Sequence, residues 1–107
     1  MLTIREQSRQ KFAIAFIDEN RRPFVPGSVR YRLDDITDGR NQQILDWTSV
    51  LTPDSSIEIL IPSSANIILN DSNTYETRLL TVESDYGTDN QLSNDESYRV
   101  LNLKGFQ

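Results

Sequence analysis

Val29-Arg30-Tyr31-Arg32-Leu33-Asp34, then Asp38-Gly39, then Gln43-Ile44-Leu45-Asp46-Trp47-Thr48-Ser49-Val50: this run decides the class of fold. Residues 29–34 alternate apolar and charged side chains, the period of a strand with one buried face, so Val29, Tyr31 and Leu33 are expected to face a core. Asp38-Gly39 suits a type I′ turn, whose two central residues both need φ > 0. Residues 29–50 therefore read as a β-hairpin.

Further strands follow on either side. Upstream, Phe12-Ala13-Ile14-Ala15-Phe16-Ile17 is rich in β-formers with a large residue at every second position, and Asp18-Glu19-Asn20 ends it in a polar turn. Pro23 and Pro26-Gly27 interrupt regular structure before the hairpin. Downstream, Thr52-Pro53-Asp54-Ser55 turns the chain into Ile57-Glu58-Ile59-Leu60-Ile61, whose three isoleucines share one face. Ser63–Leu69 carries the one helical signal, a single turn with a serine cap. Thr74–Glu83 and Glu96–Leu103 are the last β-prone runs, separated by a polar cluster that contains Gly87. Six to seven strands joined by loops of Pro, Gly, Asp and Asn predict an all-β, antiparallel sandwich of immunoglobulin or fibronectin type III kind.

Composition bounds the chemistry. A chain of 107 residues, 36% apolar and 25% charged, is the size of one domain with a thin two-layer core. It has no cysteine and no histidine, which removes disulfides, thiolate nucleophiles and the usual general base near neutral pH. No Gly-x-Ser-x-Gly elbow occurs. Neither catalysis nor a cofactor is expected. The acidic positions Asp34, Asp35 and Asp38, and Asp85, Asp89, Asp95 and Glu96, lack EF-hand spacing and read as solvated turns, not calcium ligands.

The net charge of −5 and the dispersal of the eleven basic residues argue against nucleic acid as a partner and against anionic membrane surfaces. No run approaches the roughly 20 apolar residues that would cross a bilayer. The polar opening lacks the apolar core of a signal peptide, so synthesis in the cytoplasm is expected.

Residues 1–10 differ in composition from the rest and read as an N-terminal arm ahead of a domain at 11–107. Two readings stand for it: a disordered tail, or an arm lying on a neighbouring subunit through Leu2, Ile4, Arg5 and Arg9. Trp47, the sole tryptophan, reads either as a core or part-core ring or as the anchor of a protein contact. A third option makes it a sugar-stacking platform together with Tyr86 or Tyr98.

Leu69 followed six residues later by Tyr75, with a strand after it, resembles fibronectin type III domains, in which such a tyrosine closes a corner by bonding back to the upstream backbone. The resemblance implies that role for Tyr75, with Leu69 beside it. Tyr31 or Trp47 stands where that family carries an early-strand tryptophan, and its proline-rich start is absent.

The order Phe16-Ile17-Asp18-Glu19, Pro26, Val29 to Asp35, Asp46-Trp47-Thr48, Ile59 to Pro62 and Tyr98 to Leu103 is similar to small immunoglobulin-like proteins among the structural genes of tailed bacteriophages. That resemblance implies a virion component, foremost a capsid cement or decoration protein bound to the major capsid protein lattice. A head-tail connector or tail accessory subunit is the alternative. It also implies other virion proteins, or copies of itself, as partners.

Overall fold

The computed structural model describes residues 1–103. Seven strands lie among them: β1 (Leu2–Arg5), β2 (Gln10–Ala15), β3 (Val29–Asp35), β4 (Gln42–Ser49), β5 (Ser56–Ile61), β6 (Tyr75–Ser84) and β7 (Leu92–Leu101). A short 3₁₀ turn occupies Ser63–Ala65, and Thr37–Gly39 forms a tight turn with non-helical backbone at Asp38. The strands form a five-stranded sheet in the order β1-β7-β6-β3-β4 and a two-stranded sheet of β2 and β5.

The hairpin at 29–50 is present, with β3 and β4 antiparallel. Asp38 and Gly39 adopt φ of 55° and 79°, and the Arg40 amide donates to the Thr37 carbonyl at 3.0 Å, closing the turn. Register shifts beside Leu33 leave Ile44 and Leu45, neighbours in sequence, both packed against the core. The helical turn expected at Ser63 is a 3₁₀ turn whose cap position is Pro62, and no serine side chain caps it.

The two sheets meet through a single cluster. Ile14 and Phe16, with Ile57, Ile59 and Ile61, face Val29, Leu33, Leu80, Val82, Tyr98 and Val100. Strand parity explains the choice, since Ile57, Ile59 and Ile61 alternate inward while Glu58 and Leu60 point out. Between the layers the rings of Phe12 and Tyr98 lie 5.5 Å apart.

Residues 2–5 are not part of an arm but an edge strand of the chain's own sheet. β1 runs parallel to β7, with Leu2 opposite Tyr98 and Arg5 opposite Leu101, so the sheet is mixed and not purely antiparallel. Gln7, at φ 61°, then turns the chain toward β2 in the other sheet, and its amide donates to the Asn66 carbonyl at 2.7 Å. Asn66 in turn donates from Nδ2 to the Ser8 carbonyl. Burial of Ile4 against the core and ladder hydrogen bonds give the segment what a tail lacks, internal partners for its backbone. Gln10, placed at the end of the arm, begins β2.

One end of the sandwich is polar inside. Asp35, Glu76 and Arg78 are fully buried, as are Asn66 and Asn102 or nearly so. The Arg78 guanidinium pairs with Asp35 at 2.5 Å and Glu76 at 3.2 Å and donates to the Ile67 carbonyl at 2.7 Å. Thr37 bonds Asp35 at 2.7 Å and receives the Thr77 amide at 3.0 Å. These bonds fasten the loop between β5 and β6 onto the sheet, at a place where apolar side chains would leave its carbonyls and amides without partners.

Candidate interaction face

On the outer face of the five-stranded sheet, Arg30 and Arg32 project from β3 beside Trp47 of β4. The guanidinium carbon of Arg30 lies 4.0 Å from the Trp47 ring centre and 4.5 Å from that of Tyr86, so one cation is shared between two rings. Arg32 approaches Trp47 at 5.6 Å. Each cation is also held from its own sheet. Arg30 bonds Glu83 on β6 through Nε at 2.7 Å, and Arg32 grips Asp34 with two bonds of 2.9 and 2.6 Å. The bonds to Asp34 raise the Arg32 pKa above its ordinary value against partial desolvation, and the charges of Asp34 and Asp46 add to the effect.

Gln91 completes the surround by donating to Glu83 at 3.2 Å and accepting the Gly87 amide at 2.9 Å, which fixes the loop that carries Tyr86. Trp47 is half-buried: part of its ring is covered by the arginines and part reaches solvent. Such a surface is pre-organised, because the side chains that would otherwise lose rotamer freedom on meeting a partner are already fixed.

The expected contact residues do not converge. Leu2 and Arg5 are exposed and Ile4 is partly buried, all on β1, while Arg9 is exposed just ahead of β2 in the other sheet. Trp47 lies on β4, at the opposite edge of the same sheet. Four strand spacings of about 4.8 Å separate the edges, roughly 19 Å. Tyr98 is no sugar platform, since it is fully buried and its hydroxyl donates to Asn66 Oδ1 at 2.7 Å. Burial pushes the Tyr98 phenol well above its ordinary pKa, the charge of Arg78 opposing.

Tyr75 does not close the corner. Its ring is 42% exposed and lies under the Arg99 guanidinium at 4.5 Å, and Leu69 is 42% exposed. The next residue does the work: Glu76 accepts the Leu69 amide at 2.7 Å, the Asn70 amide at 3.0 Å and Asn73 Nδ2 at 2.9 Å. Burial pulls the Glu76 carboxyl upward, but the Leu69 amide, Asn73, the Asn70 amide and Arg78 together outweigh it and hold the group below its ordinary pKa. The signal for this was parity: Leu80 and Val82 fix the inward face of β6, which puts Glu76 and Arg78 inside and Tyr75 outside.

Among the described residues, no group of three or more acidic side chains is placed to hold a metal ion. Asp34 and Asp35, expected in a solvated turn, are instead buried partners of Arg32 and Arg78. Among the described residues no helix is long and apolar enough to cross a membrane. No protein-family model, no curated protein and no solved structure matches the chain.

Proposed function

We propose that this chain is an immunoglobulin-type sandwich that binds other proteins as a structural subunit of a tailed-bacteriophage particle, foremost as a capsid cement or decoration protein. The strand order favours the immunoglobulin type. β3, β4, β6 and β7 take the places of strands C, C′, F and G in one layer, and β2 and β5 those of B and E in the other.

One observation carries the binding role: the Trp47, Arg30 and Tyr86 stack on the outer sheet face. Tryptophan, tyrosine and arginine are the residue types that dominate binding energy at protein interfaces, and here all three are interlocked before any partner arrives. The virion assignment rests on the sequence resemblance, and an acidic domain without cysteine suits assembly in a bacterial cytoplasm.

The test is co-sedimentation of the purified chain with empty capsids built from the major capsid protein encoded in the same genome, alongside Trp47→Ala. Pelleting of the parent with loss in the variant supports the reading. A parent chain that stays in the supernatant overturns the capsid assignment, and pelleting with isolated tails moves the subunit to the tail. Equal pelleting of parent and variant removes the stack from the interface.

A further inference from the structure

We infer a second binding site, a cleft at the end of the sandwich that accepts a peptide segment bearing an apolar side chain next to lysine or arginine. The cleft, about 600 Å³, opens between the β2–β3 connection and the β6–β7 loop. Ile17, Phe24 and Leu92 supply its apolar wall, and Asp18, Glu19, Asp85 and Asp89 stand around them with no lysine or arginine in the lining.

The apolar wall follows from the unequal layers. Leu92 shares the inward parity of Tyr98 and Val100, yet it is 52% exposed where the core residues are fully buried. Ile17 is 56% exposed beside it. Phe24 is held by an edge-on contact with Phe16, the ring centres 6.1 Å apart, and by donation from its amide to the Phe16 carbonyl at 3.1 Å.

Both walls are built rather than loose. The Gly27 amide donates to Asp85 Oδ1 at 2.7 Å, tying one loop to the other. A side chain at residue 27 would bring its Cβ within 3.1 Å of that oxygen, so glycine lets the loops close up. Asp18 Oδ1 receives the amides of Asn20 and Arg22, both at 2.9 Å, and Thr88 bonds the Asp85 carbonyl at 2.7 Å.

Charge selects the occupant. Four carboxylates around an apolar wall repel an acidic segment, add nothing for a purely apolar one, and attract a cation attached to an apolar group. Glu19 and Asp89, both exposed, are positioned to meet the cation, while Leu92 and Ile17 meet the apolar side chain. The inference does not need the virion reading, and its test uses the isolated chain.

The ¹⁵N-labelled protein would be titrated with acetyl-Arg-Leu-Arg-amide while its amide resonances are followed, with acetyl-Glu-Leu-Glu-amide and acetyl-Arg-Gly-Arg-amide as controls. Saturable shifts are expected at Gly27, Gly87, Asn90, Gln91 and Leu92, stronger at low salt and absent with the acidic peptide. Glu19→Gln and Asp89→Asn should each weaken binding about two- to threefold with spectra otherwise unchanged, the range of exposed ion pairs. Leu92→Ala should remove the preference for leucine over glycine. Shifts that are absent, scattered, or equal for the leucine and glycine peptides would overturn the site. Concentration-dependent broadening of the same amides without peptide would give the cleft to a second copy and also overturn it.

Discussion

Glu76 Oε1 accepts the backbone N–H of Leu69 at 2.7 Å, closing with a carboxylate the corner at which a tyrosine was expected one residue earlier. The carboxylate also meets Arg78, which is itself paired with Asp35, so loop closure and the buried charge cluster are one network. Clusters of this kind add less stability than their geometry suggests, but removing one member leaves buried charge on the others incompletely compensated.

Glu76→Gln should therefore destabilise the fold by about 2–3 kcal/mol in urea unfolding, the scale of hydrogen bonds to a charged group. The sign with pH follows from the lowered pKa. The contribution is fully present above the ordinary glutamate value of 4.5 and is lost as pH falls through the lower folded-state value. The gap between parent and variant should accordingly narrow in acid. A gap that stays constant below pH 4.5 would show that folding does not lower the Glu76 pKa.

Tyr98→Phe should cost about 1 kcal/mol, because it deletes the bond to Asn66 Oδ1 inside the core with little change in packing. Tyr75→Phe should be close to neutral, its ring half-exposed under Arg99. Thermal unfolding of the two variants side by side checks the assignment. The reverse order would restore the tyrosine corner to Tyr75.

Trp47 and Arg30 should be coupled. A double-mutant cycle with Trp47→Ala and Arg30→Ala is expected to give an interaction of about 0.5–1 kcal/mol in stability, the range of a cation over an exposed ring. Additive effects in urea unfolding would mean that the stack does not persist in solution.

Deleting residues 1–6 should lower stability rather than trim a dispensable arm, since β1 pairs with β7 and Ile4 packs on the core. Ile4→Ala alone should cost about 1–2 kcal/mol, less than a fully buried isoleucine would. A truncated chain that melts with the parent would return the segment to the status of a tail.

The all-β class and most strand positions were legible because period-two alternation and turn residues are local signals. The hairpin at 29–50 and the isoleucine face of β5 came from such patterns. Trp47 was legible as a residue of interest, but the cations that hold it were not. Arg30 and Arg32 were legible only as the charged positions of an alternating strand, and Tyr86 joins Arg30 only because β6 pairs with β3.

By itself the sequence determined an all-β domain with a Trp47-bearing hairpin and no histidine or cysteine chemistry, each a property of composition or of neighbours a few residues apart. Tertiary structure alone decided that β1 lies parallel to β7, that Glu76 and not Tyr75 closes the corner, and that Tyr98 is buried. It also decided that the 85–91 loop meets Gly27 to shape an acidic cleft. The physical reason is common to all of them: each joins side chains or backbone groups from segments far apart in the chain, whose pairing depends on which strands lie side by side and which face each turns inward.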